Sequence, residues 1–230
     1  MNLKTAVGGT ILIASTLISA CANQEMVSSH SGFLKSYDGL KKVKNLEETH
    51  SRVTPGADFS IYKNIMVAPF AIIHGVEKAD ATPEQQKLFQ DISTYMTEGY
   101  KEEVKKNGLY NLVETEGPST IRLEAAISAV EVHFDDLEWY QYIPVSLAVK
   151  GISQATYENK SVRVLAEARI VDTQTKEVLV RRVTLETGLE VPDSKTRLEF
   201  KDVKPALDVW LGRADHQLTL MHSGKEISSN

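Results

Sequence analysis

The densest group of side chains able to do chemistry lies between positions 133 and 142. It comprises His133, Asp135, Asp136 and Glu138, followed by Trp139, Tyr140 and Tyr142. Imidazole and carboxylates can hold a metal ion. The neighbouring aromatic rings can stack on a sugar. On a strand, His133 and Asp135 share a face, because side chains alternate with period two. The same residues also describe a strand end, an acidic turn and a partly buried aromatic loop, so the spacing permits a shared ligand without demanding one. Elsewhere the search for chemistry comes back empty. The chain has no GxGxxG, no GxxxxGK[ST], no GxSxG and no HExxH, so the nucleotide, nucleophile-elbow and zinc-protease signatures are missing. The six histidines are scattered at 30, 50, 74, 133, 216 and 222. No catalytic residue, metal site or cofactor is implied, and an enzyme is not expected.

Composition narrows the classes further. The chain has 230 residues, 26 basic and 31 acidic, with 42% apolar residues and one cysteine. One cysteine excludes an internal disulfide and a multi-thiolate metal site. The mild net acidity gives no electrostatic footprint for nucleic acid. The length suits one or two domains with a sizeable core.

The lone cysteine sits at position 21, after a segment with its own logic. Lys4 is followed by an uncharged run from Ala6 to Ala20, apolar through Ile11, Leu12, Ile13, Leu17 and Ile18. That is short of the roughly 20 residues a membrane-spanning helix needs. A positive start, a short apolar run and small residues form a secretory signal peptide. Ile18-Ser19-Ala20-Cys21 resembles the bacterial lipobox, with Ile18 where leucine is usual. The resemblance implies cleavage before Cys21, thioether lipidation of its sulfur and acylation of the new amino group. Two or more acyl chains anchor stably where one gives marginal binding. Ala22 stands where aspartate would imply inner-membrane retention, so the expected address is the outer membrane, facing the periplasm.

The expected organisation is a signal peptide over 1–20, a lipidated tether over 21–30, one domain over 31–222 and a disordered polar tail over 223–230. Phe33, Leu34, Tyr37 and Leu40 form a small apolar cluster, and Lys41, Lys42 and Lys44 a solvated basic segment. Ile61 to Phe70 reads as the first strong strand, closed by Pro69, which has no N–H to donate. Thr82, Pro83 and Gln85 carry the signature of a helix start. Leu88, Ile92, Tyr95, Met96, Gly99 and Val104 then follow a helical stripe, and Gly108 suits a left-handed cap. Leu109 to Thr115 reads as a strand. From Ile121 to Phe134 apolar residues alternate, with a change of phase near Ala129 that a β-bulge would produce. Ser161 to Val171 and Glu177 to Thr187 form a hairpin around a polar turn, with the adjacent Arg181 and Arg182 on opposite faces. A final helix runs from about Asp202 to Met221, with Trp210 on its apolar stripe and Pro205 near its start. The segment from Val145 to Thr156 reads either as a mobile flap or as a loop tucked on the sheet. The fold class is therefore α+β: a single domain with a mixed or antiparallel sheet, a long amphipathic helix and a C-terminal helix packed on it.

Several of these signatures occur in a familiar order. They are Ser31-Gly32-Phe33-Leu34 with Tyr37 and Leu40, then Pro55-Gly56-Ala57-Asp58 with Tyr62, then Ala166-Glu167-Ala168 with Val171-Asp172-Thr173. Thr175-Lys176-Glu177-Val178-Leu179 and a last helix bearing Trp210 complete the set. From about residue 31 to 220 the chain resembles a family of Gram-negative lipoproteins catalogued as a domain of unknown function. Lys176 stands where that family's turn often has glycine. The resemblance implies lipoprotein status and an α+β periplasmic domain, and it supplies no catalytic residues.

Two functional expectations follow. The first is a non-enzymatic interaction or assembly module, held to the membrane by the lipid on Cys21 and docking on a periplasmic or envelope protein. The second is a binding protein for a small envelope ligand, a lipid, glycan or peptidoglycan fragment, held near residues 133–156.

Overall fold

The computed structural model describes residues 31–44, 46–73, 81–132, 160–191 and 198–223. Strand β1 is Lys41–Val43 and β2 is Leu46–Val53. A turn of 3₁₀ helix at Phe59–Ile61 leads to β3 (Asn64–Val67) and β4 (Ala71–Ile72). Helix α1 is Pro83–Asn107. After it come β5 (Asn111–Leu112), β6 (Thr120–Val132), β7 (Lys160–Asp172) and β8 (Val178–Val191), and helix α2 is Phe200–His222. The eight strands form one mixed sheet in the order β1-β2-β8-β7-β6-β3-β5, with β4 also paired to β6. β3 and β4 run parallel to β6, while β6, β7, β8 and β2 are successively antiparallel. The expected α+β class therefore holds.

Parallel β3 and β6 need a long crossover, and α1 lies within it. Its start is the expected capping box. The Thr82 hydroxyl accepts from the Gln85 N–H at 3.3 Å, and the Gln85 side-chain oxygen accepts from the Thr82 N–H at 2.8 Å. Its end is Gly108 at φ 71°, with its N–H donating to the Val104 carbonyl. Leu88, Ile92, Met96 and Val104 are buried beneath it.

The phase change near Ala129 is a bulge: Ile127 pairs with Ala166, but Ala129 pairs with Leu165. The β7–β8 turn is closed by the Asp172 carboxylate, which accepts from the Gln174 and Thr175 N–H groups at 2.7 and 2.9 Å and from the Tyr62 hydroxyl at 2.7 Å. Burial pushes that carboxyl up, but these donors together hold it below its usual range. Lys176 takes the left-handed conformation, φ 63°, that glycine would occupy without strain. Its ammonium lies 2.5 Å from Glu116.

Lys41, Lys42 and Lys44 are exposed as expected, and the first two lie on an edge strand, β1, where they discourage further pairing. Two local expectations are corrected. The first strong strand is shorter than expected, Asn64–Val67, and two strands precede it. The Leu109–Thr115 strand shrinks to Asn111–Leu112.

The sheet is covered on both faces. On one side α1 and α2 bury Ile65, Ile121, Ile127, Val162 and Val164. On the other, the segment after Ser31 lays Leu34 against Leu165, Val183 and Leu185, with Phe33, Tyr37 and Leu40 packed around it. The Tyr37 hydroxyl donates to the buried Glu167 carboxylate at 2.5 Å. Burial first, and then that carboxylate, push the Tyr37 phenol up to about 12. Arg169 lies over the Phe33 ring at 5.2 Å and donates to the Phe33 carbonyl at 3.3 Å.

Candidate ligand cavity

Side chains of β8 alternate between the two sheet faces, so Arg181 and Arg182 part company as expected. Arg181 turns to the Ser36 carbonyl at 2.5 Å, on the face covered by the N-terminal segment. Arg182 turns beneath the helices, where a cavity of about 100 Å³ lies between the sheet and α1 and α2. Its floor is a run of small side chains across four strands. In register, Ala125 opposes Ala168, Ala168 opposes Arg182, Ala166 opposes Thr184, and Thr184 opposes Thr49. The alanines and threonines of this row are short side chains, which leaves space beneath the helices. The roof is Met96 and Tyr100 of α1 with Trp210, Leu218 and Met221 of α2. The lining is mainly apolar carbon.

The polar groups in this wall are few and unequally satisfied. The Thr49 and Thr184 hydroxyls bond to each other at 2.7 Å. Arg213 is paired with Glu186 across α2 and β8. Burial pushes the Glu186 carboxyl up, and the Arg213 charge only partly offsets this. Arg182 is different. It sits between Ser51 of β2 and Ala168 of β7 in the register. Its Nε is shielded from solvent without a hydrogen-bond partner, and no carboxylate among the described residues pairs with it. Burial pulls its guanidinium down, with Tyr100 the nearby group opposing that shift. A guanidinium nevertheless stays protonated in proteins, so the cavity wall carries one unneutralised positive charge. Tyr100, stacked on Phe70 at 5.2 Å, is itself pushed up by burial and keeps its proton as a donor.

His133, Asp135, Asp136, Trp139, Tyr140 and Tyr142 lie outside the described residues, as do Cys21 and the segment from Val145 to Thr156. No group of three or more metal-ligating side chains occurs among the described residues. Motif reading, which looks for charge clusters, does not single out Arg182. The signal that points to it is the pair Arg181-Arg182 inside a strand with both faces covered, since one of the two must then lie beneath the helices.

A mixed sheet with two helices on one face, and a cavity of about 100 Å³ between them, defines a small α+β domain. The chain belongs to the family described as "Protein of unknown function (DUF3313)", whose model matches residues 29–214. It is 27% identical over 195 residues to the uncharacterized lipoprotein YdcL of Escherichia coli, covering 83% of this chain and 86% of that one. Among solved structures it is similar to a PelC dodecamer subunit from Paraburkholderia phytofirmans, with 12% identity, TM-score 0.35 and coverage of 76% of this chain and 97% of that one. It is also similar to the lipoprotein GNA1162 from Neisseria meningitidis, with 11% identity, TM-score 0.32 and coverage of 68% and 98%. This is a lipoprotein family, in accord with the lipobox-like Ile18-Ser19-Ala20-Cys21.

Proposed function

We propose that this protein is a lipid-anchored, non-enzymatic binding protein of the outer membrane, facing the periplasm, which holds a small apolar envelope ligand beneath its two helices. Signal cleavage before Cys21 and acylation of that residue supply the anchor. Replacing Cys21 by serine should therefore abolish incorporation of labelled palmitate into the chain; undiminished labelling would rule out this anchor site.

The observation that carries the ligand reading is the cavity of about 100 Å³. Protein interiors pack to crystal density and keep few voids larger than a water molecule. This one has the volume of roughly three waters, with mainly apolar walls that reward water poorly. The cavity lies under α1 and α2, and the described residues of its walls belong to the sheet and the two helices. It favours a ligand-binding role over the alternative of a domain that works only by docking on an envelope protein. Native mass spectrometry of the full chain extracted from membranes should reveal a non-covalent small-molecule adduct. Ala168→Leu, which fills the floor, should lower its occupancy at least about tenfold with the circular dichroism unchanged. No adduct, or one indifferent to Ala168→Leu, would remove this reading.

A further inference from the structure

We propose that the ligand is a monoanionic amphiphile, a carboxylate on a single hydrocarbon chain, with its head against the guanidinium of Arg182 and the adjoining methylenes among Met96, Trp210 and Leu218. This rests on the cavity being a ligand site and goes further by assigning the ligand's charge and head chemistry.

The charge follows from a count. Two guanidinium groups border the cavity, Arg182 and Arg213. Glu186 neutralises Arg213. Arg182 has no carboxylate partner among the described residues, and its Nε is buried without an acceptor. The surplus is one positive charge, which a monoanion balances. A dianion such as a phosphate monoester would leave a buried negative charge in its place. Removing a charge from water without a partner is costly, so an incoming carboxylate recovers an interaction that the empty site lacks.

The head chemistry follows from shape. A guanidinium presents a planar fork of donors that matches the two oxygens of a carboxylate. Ser51 and Ala168, the register neighbours of Arg182 on β2 and β7, are small side chains. Tyr100, kept protonated by burial, is a second donor on the cavity wall. Of the other polar lining groups, the Thr49 and Thr184 hydroxyls are already joined at 2.7 Å and Gln217 contributes a neutral amide. The cavity is partly open, and at about 100 Å³ it accepts a head and a few methylenes rather than a whole long chain.

The test uses the full chain carrying Cys21→Ala, which takes no lipid, and Trp139→Phe, which leaves Trp210 as the single indole. Quenching of Trp210 fluorescence is titrated with ω-bromooctanoate, ω-bromooctanol and an octyl phosphate competitor at neutral pH. The carboxylate should bind at least about tenfold tighter than the alcohol and resist displacement by the phosphate. Arg182→Met should bring the carboxylate down to the alcohol's affinity while melting at or above the parent temperature, since it removes an uncompensated buried charge. Equal affinity for carboxylate and alcohol would overturn the anion assignment and leave the apolar cavity reading standing. Failure of both to quench would overturn both. The carboxylate-to-alcohol comparison needs no Arg182 variant, so it decides the matter even if Arg182→Met fails to fold.

Discussion

Trp210→Ala should destabilise the domain by about 3–5 kcal/mol, the range for truncating a large core aromatic, and lower the melting temperature by roughly 10 °C or more. Trp210 is 5% exposed and lies on the α2 stripe of Val203, Leu207, Ala214, Leu218 and Met221. Its indole is part of the roof of an existing cavity. The truncation therefore adds its own void to one already present, and the small residues of the floor cannot rise to fill it. The indole N–H has no hydrogen-bond partner among the described residues, so an unmet donor already weighs on the native state. Trp210→Phe removes that donor and most of the ring area stays, which should hold its cost well under half that of the alanine variant. Urea unfolding of both variants beside the parent reads the difference. An alanine variant as stable as the parent would show that α2 does not seat this side chain in the core.

The elements that declared themselves in the sequence are those whose local and tertiary demands agree. Thr82, Pro83 and Gln85 form a capping box whether or not a sheet is present, and Gly108 ends the helix for its own conformational reasons. The bulge was readable because the apolar alternation changes phase near Ala129, which an extra residue between Ile127 and Ala129 in the register accounts for. The hairpin of β7 and β8 was readable because Asp172 satisfies the turn through its own neighbours. Where burial is polar, periodicity failed. In β2 the buried positions are Thr49 and Ser51, beside Glu48, His50 and Arg52. Their hydroxyls are paired to Thr184 and to the Arg181 carbonyl, partners that exist only once β8 lies alongside. No hydrophobic pattern announces such a strand.

The candidate site was half legible for the same reason. That Arg181 and Arg182 diverge is a property of any strand. That both faces are covered depends on Leu34 and its neighbours folding back from the N-terminal side onto Leu165, Val183 and Leu185. The cavity floor is a cross-strand row of Thr49, Thr184, Ala166, Ala168 and Ala125, drawn from four strands and invisible along any one of them. Polar residues clustered along the chain, such as His133 to Tyr142, attract notice first. An arginine set among small and apolar residues is the stronger chemical statement, because no carboxylate among the described residues pairs with it.

Gly188→Ala should cost about 1–3 kcal/mol, as overpacking of a fitted contact does. Gly188 does not need a left-handed backbone; it is held to glycine by a neighbour. A Cβ there would lie 2.6 Å from the Asp202 carbonyl oxygen and 3.4 Å from that of Val162. Both are backbone atoms and cannot swing away. Asp202 is in the first turn of α2, is buried, and accepts the Glu199 N–H at 2.7 Å. To admit a methyl group, the start of α2 must lift from β8, loosening the helix that carries Trp210 and pairs Arg213 with Glu186. The same substitution elsewhere on the chain supplies its controls. At Gly99 the added Cβ meets Leu211 Cδ1 at 2.6 Å, the end of a side chain that can rotate, so Gly99→Ala should be milder. At Gly212 nothing lies within 4 Å, so Gly212→Ala should stabilise α2 by about 0.5–1 kcal/mol through the lower backbone entropy of its unfolded state. Denaturant midpoints should therefore rank Gly212→Ala above the parent, Gly99→Ala below it and Gly188→Ala lowest. If Gly188→Ala instead matched Gly212→Ala, the seating of α2 on β8 at Asp202 would be wrong, and with it the geometry that closes the cavity over Arg182.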